Sequence, residues 1–129
     1  MKEPLWLSKA FLLAVHDRLL ADHGGDGGIR DEGLLESALA KPRNLFAYAK
    51  PDLFELAASY AFGIVRNHPF LDGNKRTGFV AAAAFLDTNG FELTASEVDA
   101  TLKTLALAAG DLSAGQYATW LKANSRQSA

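Results

Sequence analysis

Hydrophobic residues recur at helical spacing along nearly the whole chain. Leu12, Val15 and Leu19 fall on one face of a first helix, which Ser8 can cap and Gly24 can end. No stretch alternates apolar and polar residues over the length of a typical strand. The pattern therefore predicts a fold built from helices.

Two further helices are predicted between residues 31 and 68. Asp31 can cap a short helix that should stop before Pro42, because proline lacks the amide hydrogen that a helix interior uses. Asp52 and Glu55 have the spacing of a capping box and open the second of these helices. His68–Pro69 should end it, since the residue before a proline is driven out of helical geometry.

The segment from about Asn74 to Asn89 is the most apolar of the predicted helices. Its run of small side chains, Ala81–Ala84, would let neighbouring helices approach closely, and Gly90 should end it. Because this helix is apolar on most of its faces, we expect it at the centre of the fold.

Two capping boxes are predicted in the last third of the chain. Thr94 with Glu97, and Ser113 with Gln116, have the required spacing and indicate helices near 95–109 and 114–124. The only candidates for short extended segments are residues 43–49 and 91–93. The predicted fold class is all-α: one domain, residues 1–129, built as a bundle around a central hydrophobic helix.

Composition limits the classes of function. The chain is 49% hydrophobic and 22% charged, as expected of a folded domain, and its net charge of −2 predicts no direct binding of nucleic acid. With no cysteine it can form neither disulfides nor thiolate metal sites. The sequence has no run long enough for a membrane span and no cleavable signal at Met1–Pro4, so a cytoplasmic location is expected.

The segment His68–Thr77 carries the strongest chemical signal. The imidazole of His68 can accept a proton from a hydroxyl group. Four residues later, the carboxylate of Asp72 can hold a hard cation such as Mg²⁺. Gly73 would let the backbone approach a bulky anion.

Asn74, Lys75 and Arg76 follow at the predicted start of the central helix. Cations at this end of a helix oppose its dipole, at a cost of a few tenths to about 1 kcal/mol each. Two of them are easier to understand if an anion binds between them, which favours a phosphate site. The alternative is a helix end, a turn and a solvated first turn with no function.

His68–Arg76 also resembles the signature of the Fic/Doc family, His-x-Phe-x-Asp/Glu-Gly-Asn-Gly/Lys-Arg, with every position filled. Lys75 stands where AMP-transferring members carry glycine, which points to the death-on-curing (Doc) branch. Other segments resemble that branch in the same order: His16–Asp17, Gly24–Gly25, the stretch from Gly28 to Leu39, and Asp52–Glu55.

The resemblance implies a Fic-fold helical bundle, in which a short β-hairpin flap positions the target. It implies a toxin of a toxin–antitoxin system that transfers the γ-phosphate of ATP, with Mg²⁺, to a protein hydroxyl group. The implied target is the translation elongation factor EF-Tu, so that translation and growth stop. A Phd-like antitoxin is the implied partner.

In this interpretation His68 is the general base, Asp72 holds Mg²⁺, and Gly73, Asn74, Lys75 and Arg76 bind the phosphates. Phe70 is expected to anchor the loop in the core. By position in the family, Phe46 and Tyr48 would belong to the flap.

Two alternatives remain open. The same site could transfer AMP to a protein hydroxyl group. The chain could instead be a catalytically silent module that binds an antitoxin, since Phe79 stands where many AMP-transferring members carry a second arginine. We interpret His16 as a packing or surface residue, and the glycines from Gly24 to Gly28 as a helix end and turn rather than a phosphate loop.

Overall fold

The computed structural model describes residues 2–128, which form six helices and one two-stranded sheet. The helices are α1 (Lys9–His23), α2 (Glu32–Tyr48), α3 (Leu53–Asn67), α4 (Asn74–Thr88), α5 (Glu97–Ala109) and α6 (Ala114–Ala123), and the strands are β1 (Phe91–Leu93) and β2 (Ser125–Gln127). The predicted all-α fold class is confirmed.

Most of the predicted helix starts are confirmed by their caps. The Ser8 side chain accepts a hydrogen bond from the Phe11 amide, and that of Asp31 from the Leu34 amide. Both halves of the capping box are formed at Asp52, which exchanges hydrogen bonds of 2.8 and 3.1 Å with Glu55. The box predicted at Ser113 and Gln116 is complete in the same way.

The capping box predicted at Thr94 is wrong. The amide and hydroxyl groups of Thr94 both donate to the carbonyl oxygen of Asn124, at 2.6 and 2.9 Å. Thr94 directly follows β1, so these bonds continue the pairing of β1 with β2. Ser96 caps α5 instead, and its hydroxyl oxygen accepts from the Asp99 amide at 3.1 Å. Pairing of Thr94 with Asn124 therefore moves the start of α5 two residues along the chain, to Ser96.

The predicted end of the second helix before Pro42 is also wrong. α2 continues through this proline to Tyr48, so residues 43–49 are not an extended segment. Proline removes a hydrogen bond to the Ala38 carbonyl. In compensation Pro42 is buried, and Ala38 lies against α3 where Gly63 leaves room: a Cβ at Gly63 would lie 3.2 Å from the Ala38 Cα. Tertiary packing therefore overrides the local preference.

The small sheet joins two segments that are distant in the chain. β1 pairs antiparallel with β2, with Phe91 opposite Gln127 and Leu93 opposite Ser125. The extended segment predicted at residues 91–93 is confirmed. β2 was not predicted, because Ser125–Gln127 is short and polar and has no strand pattern of its own.

Helices α3 and α4 share the centre of the fold. α3 packs against α2, α4, α5 and α6, whereas α4 packs against α1, α3, α5 and β1. They approach closely at Gly78, where an added Cβ would lie 2.8 Å from Cγ1 of Val65. The central position expected for α4 is thus shared with α3, whose side chains are more extensively buried.

The buried apolar side chains form one continuous cluster from Leu7 to Leu121. Over residues 2–128, none of the helices combines the length and the apolar character needed to cross a membrane.

Candidate active site

The loop from His68 to Gly73, which we call the motif loop, connects the two central helices. The segment between α1 and α2 lies along it and forms an isolated antiparallel bridge at Ile29 and Phe70. The amides of Arg30 and Asp31 both donate to the Pro69 carbonyl, at 2.7 and 3.1 Å. Backbone pairing with a distant segment therefore fixes the course of the loop.

His68 ends α3 in the left-handed region, with φ 53° and ψ 54°. Among residues 2–128 it is the only residue other than glycine with a positive φ. This conformation is uncommon for a side-chain-bearing residue and costs on the order of 1–3 kcal/mol, so it persists only where the surroundings enforce it. It turns the chain sharply at the end of α3 and leaves the imidazole exposed.

Arg30 helps to hold His68 in its left-handed conformation. Its guanidinium donates to the carbonyl oxygen of His68 at 2.7 Å and to that of Asn67 at 2.9 Å. A cation at the C-terminal end of a helix is also favoured by the helix dipole. Arg30 therefore holds the last turn of α3 and the backbone of His68 together.

Phe70 and Asn74 close the motif loop on its inner side. Phe70 is fully buried, and its amide and carbonyl groups are both bonded to the Asn74 side chain at 3.0 Å. The Asn74 side chain is itself buried, and its two bonds to Phe70 shape the loop. What Asn74 offers to the cavity is its place in the first turn of α4.

Asp72 lies at the outer end of the loop with an exposed side chain. One carboxylate oxygen accepts a hydrogen bond from the Gly73 amide at 2.9 Å. The other faces Gly25, where an added Cβ would lie only 2.8 Å from it. Gly25 also has a φ of +122°, which residues with a side chain rarely adopt. Both the backbone conformation and the close contact with Asp72 therefore favour glycine at this position.

Gly73 opens α4 in the left-handed region, with a φ of 78° and without a side-chain cap. The first turn of α4 contains no acidic residue, and Lys75 and Arg76 are both exposed. Within residues 2–128 no carboxylate lies within 4 Å of either cation. Free amides, the positive end of the helix dipole and two cations thus favour an anion at this point.

These groups line one open cavity of about 690 Å³. Six of the predicted site residues lie on its wall: His68, Asp72, Gly73, Asn74, Lys75 and Arg76. Phe70 lies beneath them in the core. The arrangement places a proton acceptor, a carboxylate and an anion-binding helix end around a single space.

Phe46 and Tyr48 lie apart from this cavity, at the C-terminal end of α2. Phe46 is half-buried and contacts Trp6 edge to face, with ring centroids 5.7 Å apart. Tyr48 is 90% exposed. Phe46 also borders a second, smaller cavity of about 340 Å³ with Ala49, Lys50 and Pro51.

Sequence reasoning missed the far wall of the main cavity. α5 contributes Glu97, Thr101, Thr104 and Leu105, and the end of α1 contributes His23. Thr104 is buried and its hydroxyl lies 2.8 Å from that of Tyr117. No local pattern marks these residues, because α5 is brought to the motif loop only by tertiary packing.

Of the packing and surface positions predicted for His16, the structure confirms the packing one. His16 occupies the apolar face of α1, four residues after Leu12, and is 2% exposed. Its ring stacks on Phe70 with centroids 3.8 Å apart, and its Nε2 lies 2.8 Å from the carbonyl oxygen of Asp72. The contact of His16 with the motif loop could not be predicted, because α1 and the loop are distant in the sequence.

The donor set is compatible with Mg²⁺ bound together with phosphate. No group of three His, Asp or Glu side chains within residues 2–128 is arranged to hold a metal ion by itself. Mg²⁺ commonly takes one or two carboxylates, with substrate phosphates and water completing its shell. An exposed carboxylate at Asp72, beside the helix end that favours anions, fits that pattern.

Comparison with known proteins decides the family. Residues 6–86, more than half of the chain, match the Fic/DOC family. The chain belongs to the Fic/Doc family. It is 35% identical over 117 residues to "Protein kinase doc" of Escherichia phage P1, covering 90% of this chain and 92% of that protein. It is 43% identical over 74 residues to "Toxin Doc" of Mycolicibacterium smegmatis, covering 56% of this chain and 57% of that one.

Both relatives are named Doc, the branch of the family to which Lys75 points. The matched Fic/DOC region contains the complete motif loop and the first turn of α4. The cavity described above is therefore formed largely by the part of the chain that defines the family, and α5 closes it from outside that region.

Proposed function

We propose that this Fic/Doc protein is a Doc-like toxin that transfers the γ-phosphate of ATP to a hydroxyl side chain of a protein. The observation that carries the proposal is the single cavity shared by His68, Asp72 and the uncapped N-terminus of α4 with its two cations. The likeness to a protein named as a kinase over nine tenths of the chain favours phosphoryl transfer.

His68 would be the general base. Its imidazole is exposed at the edge of the cavity, so a hydroxyl group on another protein can reach it. The backbone of His68 is held by Arg30 and by the end of α3, so the point from which the imidazole extends is fixed. General-base assistance of this kind contributes about 10²–10⁴-fold to rate.

The start of α4 would bind the phosphates. Lys75 and Arg76 supply full charges, and the backbone amides from Asn74 to Arg76, next to Gly73, add the positive end of the helix dipole. Negative charge that shifts between oxygens during phosphoryl transfer is stabilised by donors fixed in advance, which is the main way proteins catalyse this reaction.

Asp72 would hold Mg²⁺ through its exposed carboxylate. When bound, the ion would offset negative charge on the phosphate oxygens. Asp72 itself is fixed on three sides, by the Gly73 amide, by the close approach of Gly25 and by the contact of its carbonyl with His16. The chain thus sets the direction of the carboxylate before any ligand arrives.

The target segment would bind near the C-terminal end of α2. Tyr48 projects into solvent and Phe46 borders the smaller cavity, so together they offer an aromatic surface to a peptide. This flap would be helical in the free protein. We propose EF-Tu as the target, phosphorylation of which would stop translation in the cytoplasm.

A Phd-like antitoxin would be the controlling partner. Three exposed apolar residues, Val98, Leu102 and Leu105, lie on one face of α5 at spacings of four and three. Leu105 also lines the main cavity. An amphipathic segment that orders on this face would cover an apolar surface at the edge of the site.

A paired labelling assay tests the reaction. Purified protein, EF-Tu and Mg²⁺ would be incubated with ATP labelled on either the α- or the γ-phosphate, beside a His68→Ala variant. We expect EF-Tu to take only the γ label, and only from the unaltered protein. Transfer of the α label would establish AMP transfer instead. No transfer to EF-Tu or to any protein of a bacterial lysate, together with no heat of ATP binding, would favour a silent antitoxin-binding module.

A further inference from the structure

His16 lies beneath the motif loop, on the inner face of α1. The residue is almost completely buried and touches the loop at two points, the ring of Phe70 and the carbonyl oxygen of Asp72. The geometry points to His16 as a positioning residue that sets the direction of the Asp72 carboxylate. The inference rests on the proposed function only for the use made of that carboxylate.

The hydrogen bond fixes the protonation of one ring nitrogen. His16 Nε2 lies 2.8 Å from the Asp72 carbonyl oxygen, and a carbonyl oxygen can only accept. The proton must therefore reside on Nε2. An aliphatic residue at this position could fill the space but could not make the bond.

The stacked contact fixes the plane of the imidazole. The rings of His16 and Phe70 lie 3.8 Å apart and within 10° of parallel. Phe70 is in turn tied to Asn74 through both of its backbone polar groups. His16 is thus held against a rigid partner, and its Nε2–H points at Asp72 with little freedom to rotate.

The effect reaches the carboxylate through one peptide plane. The Asp72 carbonyl and the Gly73 amide belong to the same planar unit and must turn together. His16 holds the carbonyl end of this unit, and the amide end donates to the Asp72 carboxylate at 2.9 Å. If the His16 bond is lost, the peptide can rotate, and the Asp72 carboxylate that the Gly73 amide holds loses its fixed direction.

Gly73 shows how closely His16 follows the loop. A Cβ added at Gly73 would lie 3.7 Å from both Cδ2 and Nε2 of His16, which is ordinary contact distance. The imidazole therefore lies directly against the residue that opens α4. This contact separates His16 from buried residues that only fill the core, such as Leu12 on the same helix.

Two substitutions separate the ring from the donor. His16→Phe keeps an aromatic ring for stacking on Phe70 but removes the donor, whereas His16→Gln keeps an N–H donor and removes the ring. Leu12→Met, a change in the core of the same helix, is the control for general loss of packing. The thermal midpoint, ATP binding with and without Mg²⁺, and transfer to protein would be measured for each.

We expect His16→Phe to remain folded and to bind ATP without Mg²⁺ as the unaltered protein does. The Mg²⁺ concentration for half-maximal transfer should rise about 10–100-fold, the usual effect of removing a group that orients a metal ligand. His16→Gln should have a lower thermal midpoint. Its Mg²⁺ concentration for half-maximal transfer should nevertheless stay close to that of the unaltered protein. Parallel losses in all three variants, following the thermal midpoint, would overturn the inference.

A measurement on the ligand-free protein keeps the inference independent of the proposed reaction. Amide hydrogen exchange at Gly73 should be about tenfold faster in His16→Phe, the effect of losing one hydrogen bond, and unchanged in Leu12→Met. Nitrogen NMR of the unaltered protein should find the proton on Nε2 of His16. A proton absent from Nε2, or equal exchange at Gly73, would refute the role of His16 even if phosphoryl transfer were established. Absence of transfer with the expected exchange rates would refute the proposed function alone.

Discussion

The guanidinium of Arg30 donates to the carbonyl oxygen of His68 over 2.7 Å, joining the segment before α2 to the residue that would act as base. A second bond of 2.9 Å to the carbonyl oxygen of Asn67 makes the contact a fork. The left-handed backbone of His68 is therefore held from outside α3. The position of the imidazole depends on a residue that does not itself line the cavity.

Replacing Arg30 by lysine should slow transfer without weakening ATP binding. A lysine ammonium is a point donor on a flexible stem and cannot reproduce the planar fork. A displacement of His68 of about 1 Å would lower kcat on the order of 10–100-fold, while the KM for ATP should change little. Steady-state kinetics would measure both constants. Arg18→Lys, at an exposed arginine paired with Asp22, is the matched control. An unchanged kcat in Arg30→Lys would contradict the positioning role.

Alanine at Gly25 should disturb the Asp72 carboxylate, whereas alanine at Gly24 should not. Both glycines have positive φ, so both substitutions cost stability, about 1–2 kcal/mol each. Only the Cβ at Gly25 meets Asp72, at 2.8 Å, and nothing lies within 4 Å of a Cβ at Gly24. Titration of activity with Mg²⁺ should therefore show a requirement about tenfold higher in Gly25→Ala alone. Equal Mg²⁺ requirements in the two variants would show that Asp72 tolerates the displacement.

Tyr117 should make the protein less stable at high pH. Burial raises the pKa of its phenol to about 12, although its hydrogen bond with Thr104 acts in the opposite direction. Because the pKa in the folded state exceeds the usual value near 10, the contribution to stability is complete below pH 10 and is lost as pH rises towards 12. Between pH 9 and 11 the loss should be about 1 kcal/mol.

Urea unfolding of the unaltered protein and of Tyr117→Phe at these two pH values would isolate this contribution. The difference in unfolding free energy between the two proteins should shift by that amount in favour of Tyr117→Phe at the higher pH. A difference independent of pH would mean that the phenol is not desolvated in solution.

The sequence predicts the parts of this protein that depend on local chemistry. Ser8, Asp52 and Ser113 each satisfy amides within three residues, so their caps could be read from spacing alone. The order of groups from His68 to Arg76 likewise indicates a phosphate site, because the α4 helix start itself creates the environment for an anion.

What the sequence does not predict depends on contacts between distant segments. Pro42 continues α2 because Ala38 lies against Gly63, and Ser96 replaces Thr94 as a cap because Asn124 engages Thr94. In the site, the roles of His16 and Arg30 require α1 and the segment before α2 to lie along the motif loop. No spacing within one segment carries that information.

Removing either cation at the start of α4 should weaken ATP binding. Neither Lys75 nor Arg76 has a carboxylate within 4 Å among residues 2–128, so neither substitution leaves a partner unpaired. Each of Lys75→Ala and Arg76→Ala should raise the dissociation constant about tenfold, at the low end for a hydrogen bond to a charged group because both side chains are exposed. Calorimetry at two salt concentrations would measure the change. Lys122→Ala, at an exposed lysine of α6, should have no such effect. If all three variants bind ATP as the unaltered protein does, the phosphates do not lie at the start of α4, and the anion-binding argument from its free amides and unopposed charge is wrong.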